Sequence, residues 1–190
     1  SLFYLPILKK SLAQFSKLYT INRASQVALN KWGYDSEILP DTRYDRMQSV
    51  TKEEFSDTII AHFIENKNVL ISGSTWLMDE QIIQGSLTAM DKWIIVPHEV
   101  HEDRIAQIVQ IFPNSQRYTQ YDKNRDSNVL IIDTIGMLSK IYRYATIVYV
   151  GGGFDKVVHS LVEPLAYSKP IIIGQNIAKS EEAKAYTQDG

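Results

Sequence analysis

Three consecutive glycines, Gly151, Gly152 and Gly153, follow the apolar run 147–150, and His159, Ser160 and Glu163 come shortly after them. Glycine lets backbone N–H groups face a bound molecule with no side chain in the way. A carboxylate at Glu163, in the first turn of the next helix, could accept both hydroxyl protons of a ribose. The plainer alternative is a flexible turn, with Glu163 only a favourable charge near a helix N-terminus. The pattern recurs. Gly73-Ser74-Thr75-Trp76 follows the run 68–72 and precedes Asp79 and Glu80. Free N–H groups, hydroxyls and the helix dipole at such a turn suit an anion, although an ordinary N-cap uses the same residues. Pro97 closes the run 92–97, His98 follows it, and His101 opens the next helix. His98 could donate to a phosphate or base oxygen, or stand as a solvated loop histidine. Two imidazoles without a thiolate or a convergent carboxylate are a poor ligand set, so no metal is expected. After 129–133 comes Thr134-Ile135-Gly136-Met137, where Asp133 or Thr134 would cap a helix and Gly136 would admit a ligand close to the backbone.

Those positions need a scaffold, and the chain carries alternating signals for one. Near-continuous apolar runs at 17–21, 68–72, 92–97, 129–133, 147–150 and 170–174, with weaker ones at 36–39 and 116–119, predict strands. Stretches of helical periodicity lie between them at 23–31, 52–66, 79–90, 101–111, 136–144, 160–167 and 180–186. In 52–66, Phe55, Ile59, Ile60 and Phe63 share a face, with Thr51 as the expected N-cap and Glu54 as its box partner. Strands built almost wholly of Val and Ile belong to a parallel sheet covered by helices on both sides. The expected fold is α/β, a Rossmann-like doubly wound parallel sheet. In such a sheet ligands bind beyond the carboxyl ends of the strands, which is where the residues above fall. A seam at Pro40 and the charged stretch 41–46 divides the chain into the expected tail of one lobe with its linker, 1–45, and most of a second lobe, 46–190.

Composition narrows the function classes. The 190 residues, 44% hydrophobic and 22% charged, can bury one core and a partial second lobe. A net charge of -2 offers no general attraction to phosphate backbones or anionic lipid, and no local basic patch replaces it, so nucleic acid is not an expected partner. The absence of cysteine excludes disulfides, thiol catalysis and thiolate metal sites, and suits a cytosolic chain. No run of about 18 apolar residues is present to span a membrane.

In order along nearly the whole chain, the strings DTRYDR, SGSTW, VPHEVHEDRI, LIIDTIGMLSKIYRYATIVYVGGGF and HSLVEPLAYSKPIIIGQN resemble the 3-deoxy-D-manno-octulosonic acid (Kdo) transferases of lipopolysaccharide synthesis. The resemblance is particularly to the form in Bacteroidetes-like bacteria. The resemblance implies the C-terminal, nucleotide-sugar-binding half of a two-lobed GT-B glycosyltransferase. It also implies CMP-Kdo as donor, a lipid A precursor as acceptor, inversion by direct displacement, no cofactor and no metal. Arg43 matches the basic position that balances charge on the departing phosphate in the transition state. Pro97 and His98 match a Pro-Arg pair that contacts CMP, and Ile135, Gly136 and Met137 match a second CMP-binding turn. Ser160, Leu161, Val162 and Glu163 match an Asn-x-x-Glu segment that holds the nucleotide, with Glu163 on the ribose. Ser74, Thr75, Gly152, Gly153 and His159 are further candidate donor contacts.

The match departs from the family pattern at Pro40, His98, Val157, Ser160 and Gln175, where glycine, arginine, glycine, asparagine and proline are usual. The family's catalytic glutamate base, its membrane anchor and much of its acceptor surface lie in the N-terminal lobe, upstream of Ser1. Its last helix follows the stretch represented here. The full protein is thus expected at the cytoplasmic face of the bacterial inner membrane. This stretch by itself is expected to be soluble, to bind CMP weakly and not to turn over. Two other readings stay open: another GT-B enzyme, such as a UDP-sugar transferase or epimerase, and a non-catalytic α/β binding module.

Overall fold

A computed structural model describes residues 4–85 and 90–188. The molecule divides into two compact units, Ser1–Asp45 and Arg46–Gly190. In the first, α1 (Leu5–Leu12) precedes a small βαβ unit of β1 (Tyr19–Thr20), α2 (Arg23–Lys31) and β2 (Glu37–Ile38). The two strands are parallel, Tyr19 opposite Glu37 and Thr20 opposite Ile38. Asn22 caps α2 by accepting the Ser25 N–H at 2.9 Å, and Gln26 Nε2 donates to the Ser36 carbonyl at 2.6 Å, tying the helix to the second strand. Helix α3 (Thr42–Lys52) begins in this unit and runs into the next. The charged stretch 41–46, expected as a connector, is therefore mostly its first turn. No apolar stripe marks α3 in the sequence, since Met47 is its one buried side chain.

The second unit holds β3 (Val69–Thr75), β4 (Lys92–Pro97), β5 (Gln116–Arg117), β6 (Val129–Ile131), β7 (Ile147–Val150) and β8 (Ile171–Ile173). All pair in parallel, in the order β5-β6-β4-β3-β7-β8. Successive strand residues alternate between two cores, as a period of two requires. Ile71, Ile94, Leu130, Val148 and Val150 face one core; Leu70, Trp93, Ile95, Ile131 and Tyr149 face the other. The first is closed by α4 (Thr58–Ile64) through Ile60 and Phe63, α7 (Leu138–Ile141) through Ile141, and α9 (Glu181–Gln188) through Ala183, with Leu165 of α8 (Val162–Ala166) against it. The second is closed by α5 (Leu77–Gln84) through Ile83 and α6 (Glu102–Ile111) through Ile105 and Ile108. Each fully buried isoleucine contributes about 2 kcal/mol, which is why runs of them settle in the central strands. The largest buried side chain, Trp93, satisfies its indole N–H on the Ser72 hydroxyl at 2.6 Å. This is the doubly wound α/β sheet that the apolar runs predict.

One expected helix is displaced. The periodicity of 52–66, with Thr51 as N-cap and Glu54 as box partner, gives way to a start at Thr58. Thr51 lies in the last turn of α3, and Asp57 is the actual cap, accepting the Ile60 N–H at 2.9 Å. Asp57 wins because it also accepts the Tyr118 hydroxyl at 2.7 Å, while the Phe55 ring packs outside the helix against Tyr144, 6.3 Å between centroids. The bond to Asp57 is the main reason the Tyr118 phenol is pushed up to about 12. A phenol raised in the folded state stabilises fully below its ordinary value of about 10 and loses that contribution as pH rises through the folded value. Asp57→Ala should cost about 2 kcal/mol, from a lost cap and a lost hydroxyl acceptor. The same variant should return the Tyr118 ionisation toward about 10 in an ultraviolet titration.

Candidate functional site

The chain leaves β3 toward β4, β6 and β5 on one side and reaches β7 and β8 on the other. The crevice beyond the carboxyl ends of β3 and β7 is therefore the switch point, the place where open α/β sheets bind ligands. The end of β3 is irregular. Its register with β4 slips between Gly73 and Thr75, and Ser74 adopts a left-handed φ of 53°. The Thr75 hydroxyl turns inward to Glu80 Oε1 at 2.6 Å. Glu80 is buried and paired with Arg104 Nη2 at 2.5 Å. Burial pushes its pKa up and the bonds from Arg104 and Thr75 only partly offset this. Asp79 is buried as well. It accepts the Trp76 N–H at 2.8 Å, the Gly152 N–H at 3.0 Å and the Tyr149 hydroxyl at 2.5 Å.

These bonds correct two expectations. The turn after β3 is not an open anion site at the start of α5, because the helix's own Asp79 takes the Trp76 N–H and Thr75 is spent on Glu80. Nor do the three glycines expose a row of N–H donors. Gly151 N–H binds the Gly73 carbonyl at 2.9 Å and Gly152 N–H binds Asp79. Their purpose is close packing. A Cβ on Gly151 would lie 2.4 Å from the Ser74 carbonyl oxygen, and one on Gly153 would lie 2.4 Å from the Gly174 Cα. Gly152 also needs its φ of 91°. Beside this loop a shallow cleft of about 490 Å³ is lined by Met78, Gly153, Phe154, Asp155, Gln175 and Asn176.

Three rings meet above the crevice. Trp76 follows β3, His98 follows β4 and His159 ends the glycine loop after β7. Trp76 Nε1 donates to His159 Nε2 at 3.0 Å, with the two rings only 18° apart in orientation. The His98 ring covers both, its centroid 4.6 Å from Trp76 and 4.5 Å from His159. Lys156 Nζ lies 5.5 Å from the indole centroid. Burial depresses the His159 pKa, as does His98, while Asp79 acts in the opposite sense. Sequence reasoning singled out both histidines but missed Trp76 as their partner and Lys156 beside it. An aromatic immediately after a strand-end Gly-Ser-Thr was the available signal.

The remaining candidates divide by exposure. Glu163 is half-buried in the first turn of α8; burial raises its pKa and Arg46 pulls it down. No hydrogen bond to Glu163 is found among the described residues. Its charge also reaches Tyr142, buried beneath. Arg46, which the sequence reading passed over, is thus an electrostatic partner of the site. Ser160 is exposed, but Leu161 and Val162 are core residues that could meet a ligand only through their main chain. Ile135 is 87% exposed and Gly136 takes a φ of 92°, so the turn ahead of α7 projects outward. Asp133 does not cap α7, and Thr134 donates its hydroxyl to Met137 Sδ at 3.2 Å. Asp133 accepts instead from Arg117 at 2.9 Å and from the Thr119 N–H at 3.0 Å; burial raises its pKa, but these bonds leave it lowered overall. Pro97 is buried at the end of β4. His101 caps α6, accepting the Arg104 N–H at 3.2 Å. Arg43 belongs to the first unit, where its Nε binds Asp41 at 2.8 Å and holds that carboxyl below its usual range.

No protein-family model matches the chain. A 3-deoxy-D-manno-octulosonic acid transferase of Rickettsia prowazekii is 24% identical over 188 residues, covering 92% of this chain and 40% of that protein. One from Chlamydia trachomatis is 46% identical over 55 residues, 28% of this chain and 13% of its own. Among solved structures, the C-terminal CMP-Kdo binding domain of WaaA from Acinetobacter baumannii matches with a TM-score of 0.56 at 18% identity, covering 78% of both chains. This chain is similar in sequence to Kdo transferases. Like that domain of WaaA it has the fold of a GT-B glycosyltransferase lobe, and trehalose-6-phosphate synthase OtsA shares the architecture more distantly, with a TM-score of 0.55 at 12% identity over 96% of this chain and 50% of that one. The chain spans less than half the length of the Kdo transferases it matches.

Proposed function

We propose that this chain is the donor-binding part of a Kdo transferase, seating CMP-Kdo at the switch-point crevice for transfer to a lipid A precursor. The observation that carries this reading is the half-buried Glu163 on the helix that follows the His159 loop. A desolvated carboxylate without a hydrogen-bonding partner gains most from two hydroxyl donors, and a ribose diol supplies them. The ring cluster brings two imidazoles and the Lys156 ammonium together, a set of donors suited to one phosphate rather than two. The outward turn at Ile135, Gly136 and Met137 offers main-chain groups to a base. The likeness in sequence to Kdo transferases and in fold to the CMP-Kdo binding domain of WaaA supports the choice of cytidine. The acceptor hydroxyl then attacks the anomeric carbon as CMP departs, with a base drawn from the acceptor lobe and a working site at the inner face of the membrane. No helix among the described residues is long and apolar enough to cross a membrane.

Calorimetric titration of the chain tests this directly. CMP should bind at least about tenfold more tightly than UDP, a difference of about 1.4 kcal/mol. At a CMP concentration of about one hundred times Kd, linkage should add about 2.7 kcal/mol to stability and raise the melting temperature. A preference for UDP would move the chain to another GT-B chemistry, for which the likeness to OtsA leaves room. No nucleotide effect at all would mark a non-catalytic module.

A further inference from the structure

We propose that Trp76, His98 and His159 work as a unit that assigns a single positive charge to His98, so that donor affinity is set by the protonation of His98 and rises as pH falls. The inference rests on the donor-site reading above and concerns which group holds the phosphate. An indole N–H can only donate, so the 3.0 Å bond from Trp76 Nε1 requires a lone pair on His159 Nε2. His159 is thereby kept neutral with its proton on Nδ1. A second proton would have to break the indole bond and would charge a ring whose centroid lies 4.5 Å from that of His98. His98 has no such constraint. It is exposed just after β4, its ring tilted by 33° to the indole with the centroids 4.6 Å apart, within the range at which a cation is stabilised by an aromatic ring.

The surrounding charges leave His98 in that role. From α5, Asp79 is committed to Trp76, Gly152 and Tyr149. From the glycine loop, Lys156 stands over the indole and Asp155 is exposed beside it. Glu99, next in sequence, turns to His101 Nε2 at 3.3 Å. A phosphate arriving at the crevice therefore meets one ring able to take up a proton for it. Where related transferases are expected to carry a permanent guanidinium, this chain carries a charge that responds to pH.

The test compares CMP binding by wild type, His98→Arg and His98→Gln at about pH 6 and about pH 8. The phosphate of CMP has its own ionisation near pH 6, which cancels in the ratio of one protein to another. The dissociation constant of wild type divided by that of H98R should grow about tenfold between the two pH values, the worth of one charge-assisted hydrogen bond. H98Q should bind weakly and keep a constant ratio to H98R. Nitrogen-15 spectra of the imidazoles provide a readout without ligand: His159 should keep a proton on Nδ1 and none on Nε2 at both pH values. A constant ratio for a wild type that binds CMP would overturn this proposal and leave the donor-site reading standing, as would spectra in which His159 takes the second proton first. Failure of wild type and H98R to bind CMP at either pH would overturn both.

Discussion

Glu163→Gln should bind CMP about thirtyfold more weakly than wild type, a loss of about 2 kcal/mol, and should nevertheless melt at a higher temperature near neutral pH. Both effects have one cause. The carboxylate is held half out of water, with Arg46 offsetting part of the penalty. Hydroxyl donors from a ribose relieve that penalty in the complex, and a neutral amide gains less from them. In the free protein the amide has no charge to desolvate, so folding is easier.

The pH dependence fixes the sign. The Glu163 pKa is raised in the folded state, chiefly by burial. Below the ordinary carboxylate value the group is protonated whether the chain is folded or not, and no penalty exists. As pH rises through the ordinary value and then the raised one, the unfolded chain ionises first and stability is lost. The advantage of E163Q should therefore be present at about pH 7 and vanish by about pH 4. Melting curves at the two pH values, beside calorimetry with CMP, check both halves. Wild-type affinity in the variant would remove Glu163 from the ligand site. A lower melting temperature at neutral pH would mean that the carboxylate serves the fold.

What could be read in the sequence follows from which interactions are local. Strand positions were legible because β-branched runs have no comfortable alternative once both faces of a sheet are covered. The helix ends were less so. Asp57 displaced Thr51 as a cap through a bond to Tyr118, 61 residues away, and no local pattern carries that information. Helix α3 went unseen because it buries little and its charges read as a connector. His98 and His159 stood out for their places after strands, yet the ring cluster depended on a register slip at Gly73 that turns Trp76 toward them.

The acidic residues teach the sharper lesson. Asp79, Glu80 and Asp133 all sit just beyond strand ends, where a sheet of this kind places its ligands, and all three proved to be structural. Glu163 occupies an equivalent place and is not used by the fold. A carboxylate at the rim is thus ambiguous from sequence alone. The difference lies in whether donors from other segments reach it first. Asp79 has three; Glu163 has only the charge of Arg46 among the described residues.

Asp79 should therefore respond to substitution in the opposite way. Asp79→Ala is expected to cost about 4 kcal/mol and to lower the melting temperature by about 10 °C, because it strands the Gly152 N–H and the Tyr149 hydroxyl in a buried place and frees the Trp76 N–H. The Tyr149 phenol, raised by burial first and by Asp79 second, would lose its acceptor. CMP binding should fall with it, since the loop that carries His159 is anchored through Gly152. Asp79→Asn should be far milder, about 1 kcal/mol. Its one oxygen can keep both N–H donors, and its amide can face a Tyr149 hydroxyl that turns to accept. The order wild type, D79N, D79A in thermal melts would show that Asp79 acts as a hydrogen-bond hub. Equal damage from Asn and Ala would show instead that the negative charge itself is required beneath the two histidines, and the single-charge arrangement of the rings would then have to include it.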